Sequence, residues 1–180
     1  MLRTTSTAGS RRLLGLRVTP GRLALLVFRL PLQLYDRGWG WMLGHVFLRL
    51  VHVGRRTGRP HSAVAMVLAY DADARRAVIC AGWGPNTDWV RNLRARPAVR
   101  VDVGRDSFVP RHRFLTEDEA LAVVAEFRVR HPHRVRFISR VLGWGDLWSD
   151  EAVRAFVSAR PFVALEPAVE NGAPRQPSAG

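Results

Sequence analysis

Apolar positions change their spacing along this chain. From Leu23 to Tyr35 they recur at helical intervals, with Leu23, Leu26, Leu30 and Leu34 beside Val27 and Phe28, which predicts an amphipathic helix. Those thirteen residues include Arg29 and Pro31, too few and too interrupted to span a bilayer, and they lack the small-residue cleavage site of a signal peptide. Val46 to Val53 is then rich in branched and aromatic residues, Gly54-Arg55-Arg56-Thr57-Gly58-Arg59-Pro60 carries turn chemistry, and His61 to Tyr70 is apolar again. This pattern predicts a β-hairpin with a long basic tip. Asp71 to Arg75 reads as a polar turn and Arg76 to Ala81 as a short strand. Val99, Val101 and Val103 alternate with Arg100 and Asp102 as a half-buried strand does, and Phe108 to Phe114 continues the sheet.

Helices interrupt the strands. Thr87 to Arg94 is short, with Asn86 or Thr87 as its cap, and Thr116-Glu117-Asp118-Glu119 is a capping box before Ala120 to Arg130. Pro132 to about Leu142 and Asp150 to Ala159 are further helices, and Phe162 to Glu166 is the last strand. Six short strands with few helices between them do not make a doubly wound parallel sheet. The predicted class is α+β, mainly β: a small antiparallel barrel of about six strands with helices outside it. Residues 21–167 are expected to form this single domain with its N-terminal amphipathic helix. Residues 1–20 and 168–180 lack apolar periodicity and are expected to be a flexible N-terminus and a disordered tail.

Composition sharpens the picture. The 180 residues suit one domain with a real core, and 47% apolar with 24% charged residues supports neither wholesale disorder nor an integral membrane bundle. The net charge is +13 and every cation is Arg, since the sequence has no Lys. Residues 1–70 hold eleven Arg against the single acid Asp36, so the anion-seeking half is N-terminal. Nucleic acid is not the expected partner, because no zinc-finger spacing, basic-region heptad or ribonucleoprotein-type aromatic motif occurs. The single Cys80 lies in the apolar run Ala77-Val78-Ile79-Cys80-Ala81, which reads as a buried reduced thiol of a cytoplasmic protein.

Few residues carry chemistry. The tip sets Arg55, Arg56 and Arg59 around two turn-forming glycines, which is either a solvated basic turn or a cradle where backbone N–H groups and guanidinium forks share a phosphate. Gly82-Trp83-Gly84-Pro85-Asn86 feeds the helix beginning near Thr87, a place for an anion or a ring carbonyl; Trp83 and Trp89 are either stacking platforms or core. The six His residues show no paired metal-ligand spacing, and no Ser has a nucleophile-elbow context. No catalytic side chain and no metal are assigned, so the reactive atom of an enzyme built this way belongs to a cofactor.

Two motifs together then carry a resemblance. Val51-His52-Val53-Gly54-Arg55-Arg56-Thr57-Gly58-Arg59-Pro60, followed by Trp89-Val90-Arg91-Asn92-Leu93-Arg94-Ala95-Arg96-Pro97 and a Val-rich strand, resembles the deazaflavin (F420)-dependent nitroreductase and quinone reductase family. The resemblance implies a split β-barrel of the flavin-binding type. It implies hydride transfer from reduced coenzyme F420 to a planar electron-poor acceptor such as a quinone or nitro compound, with FMN as the alternative cofactor. It places Arg55, Arg56, Thr57 and Gly58 at the coenzyme's phosphate-bearing tail, with His61 where the family carries a further cation. Ala81, Gly82 and Trp83 would border the deazaflavin ring, and Trp89 and Asn92 match the family's W-x-x-N-L helix beside the same site. A non-catalytic cofactor- or membrane-binding module is the other class left open.

A lipid-soluble acceptor also gives the N-terminal helix a use. Arg11, Arg12, Arg17, Arg22 and Arg29 flank its apolar face, with Trp39 and Trp41 nearby, which suits peripheral binding to an anionic membrane surface on the inner face of the cell membrane. The competing reading is a core helix with Trp39 and Trp41 as its plug. The sequence leaves a monomer and a homodimer open.

Overall fold

In the computed structural model, residues 30–142 and 147–168 are described, and the expectations for residues 1–20, for residues 21–29 and for the tail from 169 onward lie outside them. Helical residues 30–36 (α1) and the short 3-10 helix Gly40–Leu43 precede the first strand. Strand β1 (Phe47–Val53) alternates as its sequence dictates: Leu48, Leu50 and His52 are buried, while Phe47, Arg49, Val51 and Val53 are only partly so. It pairs antiparallel with β2 (Pro60–Asp71) and with β4 (Arg100–Val103), so that Leu50 faces Ala63 on one side and Val101 on the other.

β2 is long enough to serve two neighbours. Its first part pairs with β1, and after a register shift between Val67 and Ala69 its last part pairs with β3 (Arg76–Cys80). A bulge of this kind bends and twists a strand. β3 then pairs with β7 (Phe162–Pro167), β7 with β6 (Pro110–Phe114), and β4 with β5 (Asp106–Phe108). The order across the sheet is β5-β4-β1-β2-β3-β7-β6.

That order forces curvature. β5 and β6 are the two outermost strands, yet only Val109 separates them in the chain. Neighbouring Cα atoms are about 3.8 Å apart, so the two edges must come together at Val109. The sheet closes on itself there without a β5–β6 ladder among the described residues, which makes the fold a split barrel. The Phe108–Phe114 stretch, expected as one strand, is two, and the count among the described residues is seven. Pro110 lacks an N–H and is tolerated because β6 has a partner on one side only.

Both faces of the barrel wall are buried, which is why β2 and β3 read as unbroken apolar runs. Inside lie Leu48, Leu50, Ala65, Val67, Ile79, Val101, Val103, Phe108, Val163 and Leu165. Outside, Met66, Leu68, Val78, Cys80, Phe162 and Ala164 pack under helices α3 (Glu117–Arg130), α4 (Pro132–Leu142) and α5 (Asp150–Ser158) through Ala120, Val124, Phe127, Val135, Ile138, Val153 and Phe156. α3 starts with the expected capping box: Thr116 Oγ1 accepts from the Glu119 N–H at 3.3 Å, and Glu119 Oε2 accepts from the Thr116 N–H at 2.8 Å. Arg113 donates to the same carboxylate, and these bonds hold Glu119 well below the usual carboxylate range, at about 2.

Helix α2 (Asp88–Ala95) differs from α3, α4 and α5 in what it covers. Leu93 joins the interior cluster with Trp89 packed against it, so α2 closes the end of the barrel where β1 finishes. No helix among the described residues is long and apolar enough to cross a membrane. Trp39 and Trp41 do not form the core plug that one reading expected; they are 54% and 51% exposed, and Tyr35 instead fills that position, donating to the Phe47 carbonyl at 2.8 Å.

Candidate cofactor site

His52, Thr87 and Asn92 are the buried polar residues among those described, each 4% exposed: Asn92 lies on α2, Thr87 at its N-cap and His52 on β1 beneath it. Buried polar groups need partners, and those of Asn92 and His52 run outward to the hairpin tip. Asn92 Oδ1 accepts from the Arg55 backbone N–H at 3.0 Å and from Arg55 Nη1 at 3.1 Å. Arg55 Nη1 also reaches Asp88 Oδ1 at 3.1 Å, and Asn92 Nδ2 lies 3.0 Å from His52 Nδ1. The tip is thereby bolted to α2.

The tip has a tight frame. The Gly54 N–H donates to the Arg59 carbonyl and the Gly58 N–H to the Gly54 carbonyl, both at 2.8 Å, and Gly58 holds a φ of +68°, which suits glycine. A Cβ on Gly54 would come within 2.6 Å of Thr57 Oγ1 and 3.1 Å of His61 Nε2, so only glycine lets these side chains close over the turn. Thr57 Oγ1 in turn accepts from the Arg59 N–H at 3.3 Å. No bond to the described residues engages the backbone N–H groups of Arg56 and Thr57 or the guanidinium groups of Arg56 and Arg59, and all of these residues are exposed. Two adjacent N–H donors between two exposed guanidinium groups fit a phosphate or another compact anion.

The second predicted segment leads into the start of α2, whose first residue, Asp88, already meets the tip. The Ala81 N–H donates to the Pro161 carbonyl at 3.0 Å and Arg160 Nε to the Gly82 carbonyl at 2.9 Å, which ties this loop to the start of β7. The Gly84 N–H closes on the Ala81 carbonyl at 2.7 Å, and Thr87 Oγ1 donates to the Gly84 carbonyl at 3.2 Å. Thr87 occupies the cap position but spends its hydroxyl on this turn, not on the helix. Ala81 and Gly82 are buried and Trp83 is half-buried.

α2 is therefore bonded to the tip through Asp88 and Asn92, and the residue before it, Thr87, is bonded back to Gly84 of the loop. Arg56, Thr57, Gly58 and His61 are exposed at the tip; Arg55 turns inward to α2, and Asn92 lies beneath it. His52 went unassigned in the sequence although it continues the inward row of Leu48 and Leu50, where a polar side chain signals a built contact. Burial, with His61 adding to it and Asp88 opposing, pushes the His52 imidazole down to about 4. Cys80, in the outer core, is pushed up to about 12 by burial and is no nucleophile.

The site is thus a donor-rich hairpin docked on the helix that closes one end of a split barrel. The chain belongs to the F420H(2)-dependent quinone reductase family, which matches residues 35–137, from the end of α1 through β6 and α3 and into α4. No curated protein matches the sequence at a significant level. Among solved structures, it is similar to an F420-H2 dependent reductase (FDR-A), 15% identical with a TM-score of 0.46, over 69% of this chain and 96% of that one. It is also similar to the heme storage protein HutZ from Vibrio cholerae, 15% identical with a TM-score of 0.44, over 75% of this chain and 90% of that one. Overlaps this partial carry nothing further.

Proposed function

We propose that the protein reduces a quinone with reduced coenzyme F420, bound beside the start of α2 by the hairpin tip and the Ala81–Trp83 loop. The observation that carries this is the family match, which spans the tip, the loop and α2, together with a tip whose donors suit the coenzyme's anionic tail. Arg56, Arg59 and the N–H groups of Arg56 and Thr57 would hold that tail, with Gly58 shaping the turn and His61 at its flank. Ala81, Gly82, Trp83 and Trp89 would border the ring, while Arg55 and Asn92 hold the tip in place from behind. When bound, the reduced coenzyme would supply a hydride and release a proton, and the quinone, gaining one hydride and one proton, would become the hydroquinone. The residues' task is to keep donor and acceptor about 3 to 3.5 Å apart and to exclude water.

The test is direct. Purified protein should quench or shift the fluorescence of F420 at micromolar concentration and oxidise the reduced coenzyme when menadione is added. Tight binding of FMN with no response to F420 would overturn the cofactor, and turnover of nitro compounds alone would overturn the acceptor. A lipid-soluble quinone also gives a role to the exposed Leu30, Trp39, Trp41 and Met42, as a face meeting an anionic membrane surface. Co-sedimentation with anionic vesicles at low salt, lost as ionic strength rises, supports that face; protein that stays in the supernatant removes it.

A further inference from the structure

The hydrogen bonds of Asn92 fix more than its own position. Both donors on its Oδ1 come from Arg55, a backbone N–H and a guanidinium N–H, and neither can accept. The oxygen must therefore face Arg55, which leaves the amide nitrogen facing His52. That nitrogen only donates, so His52 Nδ1, 3.0 Å away, must accept. The His52 proton is then confined to Nε2.

We propose that Asn92 is a positioning residue and not a coenzyme contact: it locks His52 as the Nε2–H tautomer and pins Arg55, so that the free donors of Arg56 and Thr57 hold one geometry. This rests on the reading of the tip as the coenzyme's anion site. A protonated His52 would set an Nδ1–H against the Asn92 N–H, a donor facing a donor, so the network also keeps the imidazole neutral. The charged and titratable groups around it are His61 from β2, whose ring centroid lies 6.0 Å away, Asp88 from α2 and Arg55 from the tip. Barrel end, helix and tip thus share one hydrogen-bond chain, with every polar atom of the Asn92 side chain engaged.

Nitrogen-15 NMR of the imidazoles in coenzyme-free protein at neutral pH tests the lock. His52 should show the Nε2–H pattern; an Nδ1–H pattern or a mixture of tautomers overturns it. Asn92→Asp keeps an oxygen for Arg55 but replaces the donor with an acceptor, so the His52 proton should move to Nδ1 while the Arg55 N–H stays protected from hydrogen exchange. Asn92→Ala should expose that N–H to exchange and weaken F420 binding by about tenfold or more, the loss expected when a polar network loses its central member. Unchanged exchange and unchanged binding in Asn92→Ala overturn the positioning role, and if that variant fails to fold, the wild-type and Asn92→Asp spectra decide. Failure of the wild-type protein to bind F420 sinks the coenzyme reading instead, and the tautomer and exchange results still judge Asn92.

Discussion

Arg55 and Asp88 form an ion pair of 3.1 Å across the gap between hairpin and helix, and Asp88 remains 55% exposed within it. An exposed pair of this kind contributes little, because solvent screens it and two side chains lose freedom to make it. Asp88→Asn should therefore lower stability by no more than about 1 kcal/mol in urea unfolding. Arg55→Ala should cost more than Asp88→Asn, because it also strips Asn92 Oδ1, on a buried side chain, of one of its two donors. Equal costs for the two changes would show that the Arg55–Asn92 bond adds nothing.

Arg56 and Arg59 carry the opposite expectation. Neither guanidinium is paired among the described residues, so Arg56→Ala with Arg59→Ala should leave urea stability within about 0.5 kcal/mol of wild type. The same double variant should weaken F420 binding by about 1.5 to 3 kcal/mol for each charge-assisted bond lost, read by fluorescence titration. Unchanged affinity would make the tip a solvated turn.

Acid should destabilise the fold through His52. Its folded-state value of about 4 lies below the ordinary 6.5, so the unfolded chain binds the proton more readily. The stability that burial of the neutral ring allows is whole above about pH 6.5 and falls as pH drops toward 4. His52→Gln should flatten that part of the pH dependence, measured as urea midpoints from pH 7 to pH 4. A midpoint curve with the same slope in both proteins would mean that His52 is not the group responsible.

Leu50→Ala tests the interior. Leu50 is fully buried, with Ala63 and Val101 beside it on the flanking strands, and the barrel wall has little freedom to collapse onto a smaller side chain. The loss should be about 2 to 5 kcal/mol by urea unfolding, the range for a Leu cavity in a packed core. A loss below about 1 kcal/mol would show that the wall relaxes to fill the space.

Much of this fold was legible because its strands are short and its turns are marked. The hairpin, the capping box at Thr116 and the helices from Asp88, Glu117, Pro132 and Asp150 follow from local chemistry that tertiary packing left intact. The division of Phe108–Phe114 was not legible, since the change of partner at Val109 depends on where the sheet closes and not on residue type. At the site, the tip and the W-x-x-N-L helix stand out as motifs, but the inward turn of Arg55 depends on Asn92, far along the chain. His52 hid inside a quoted motif because a lone His on a strand has no signal until its pleat is known to face the barrel end.

The place of β7 has a consequence for how the molecule comes to be folded. It follows every other described strand in the chain, yet it lies between β3 and β6, with Leu165 opposite Ala77 on one side and His112 on the other. Until it emerges, β3 has one open edge and β6 no strand partner at all, while α3, α4 and α5 are made in between. A nascent chain halted before Phe162 thus presents the open edge of β3 and the wholly unpaired β6, the kind of surface that joins other chains. Closure of this barrel is a long-range event that waits on the six residues of β7, and folding should be slow for its size because the pairs that complete it are far apart in sequence.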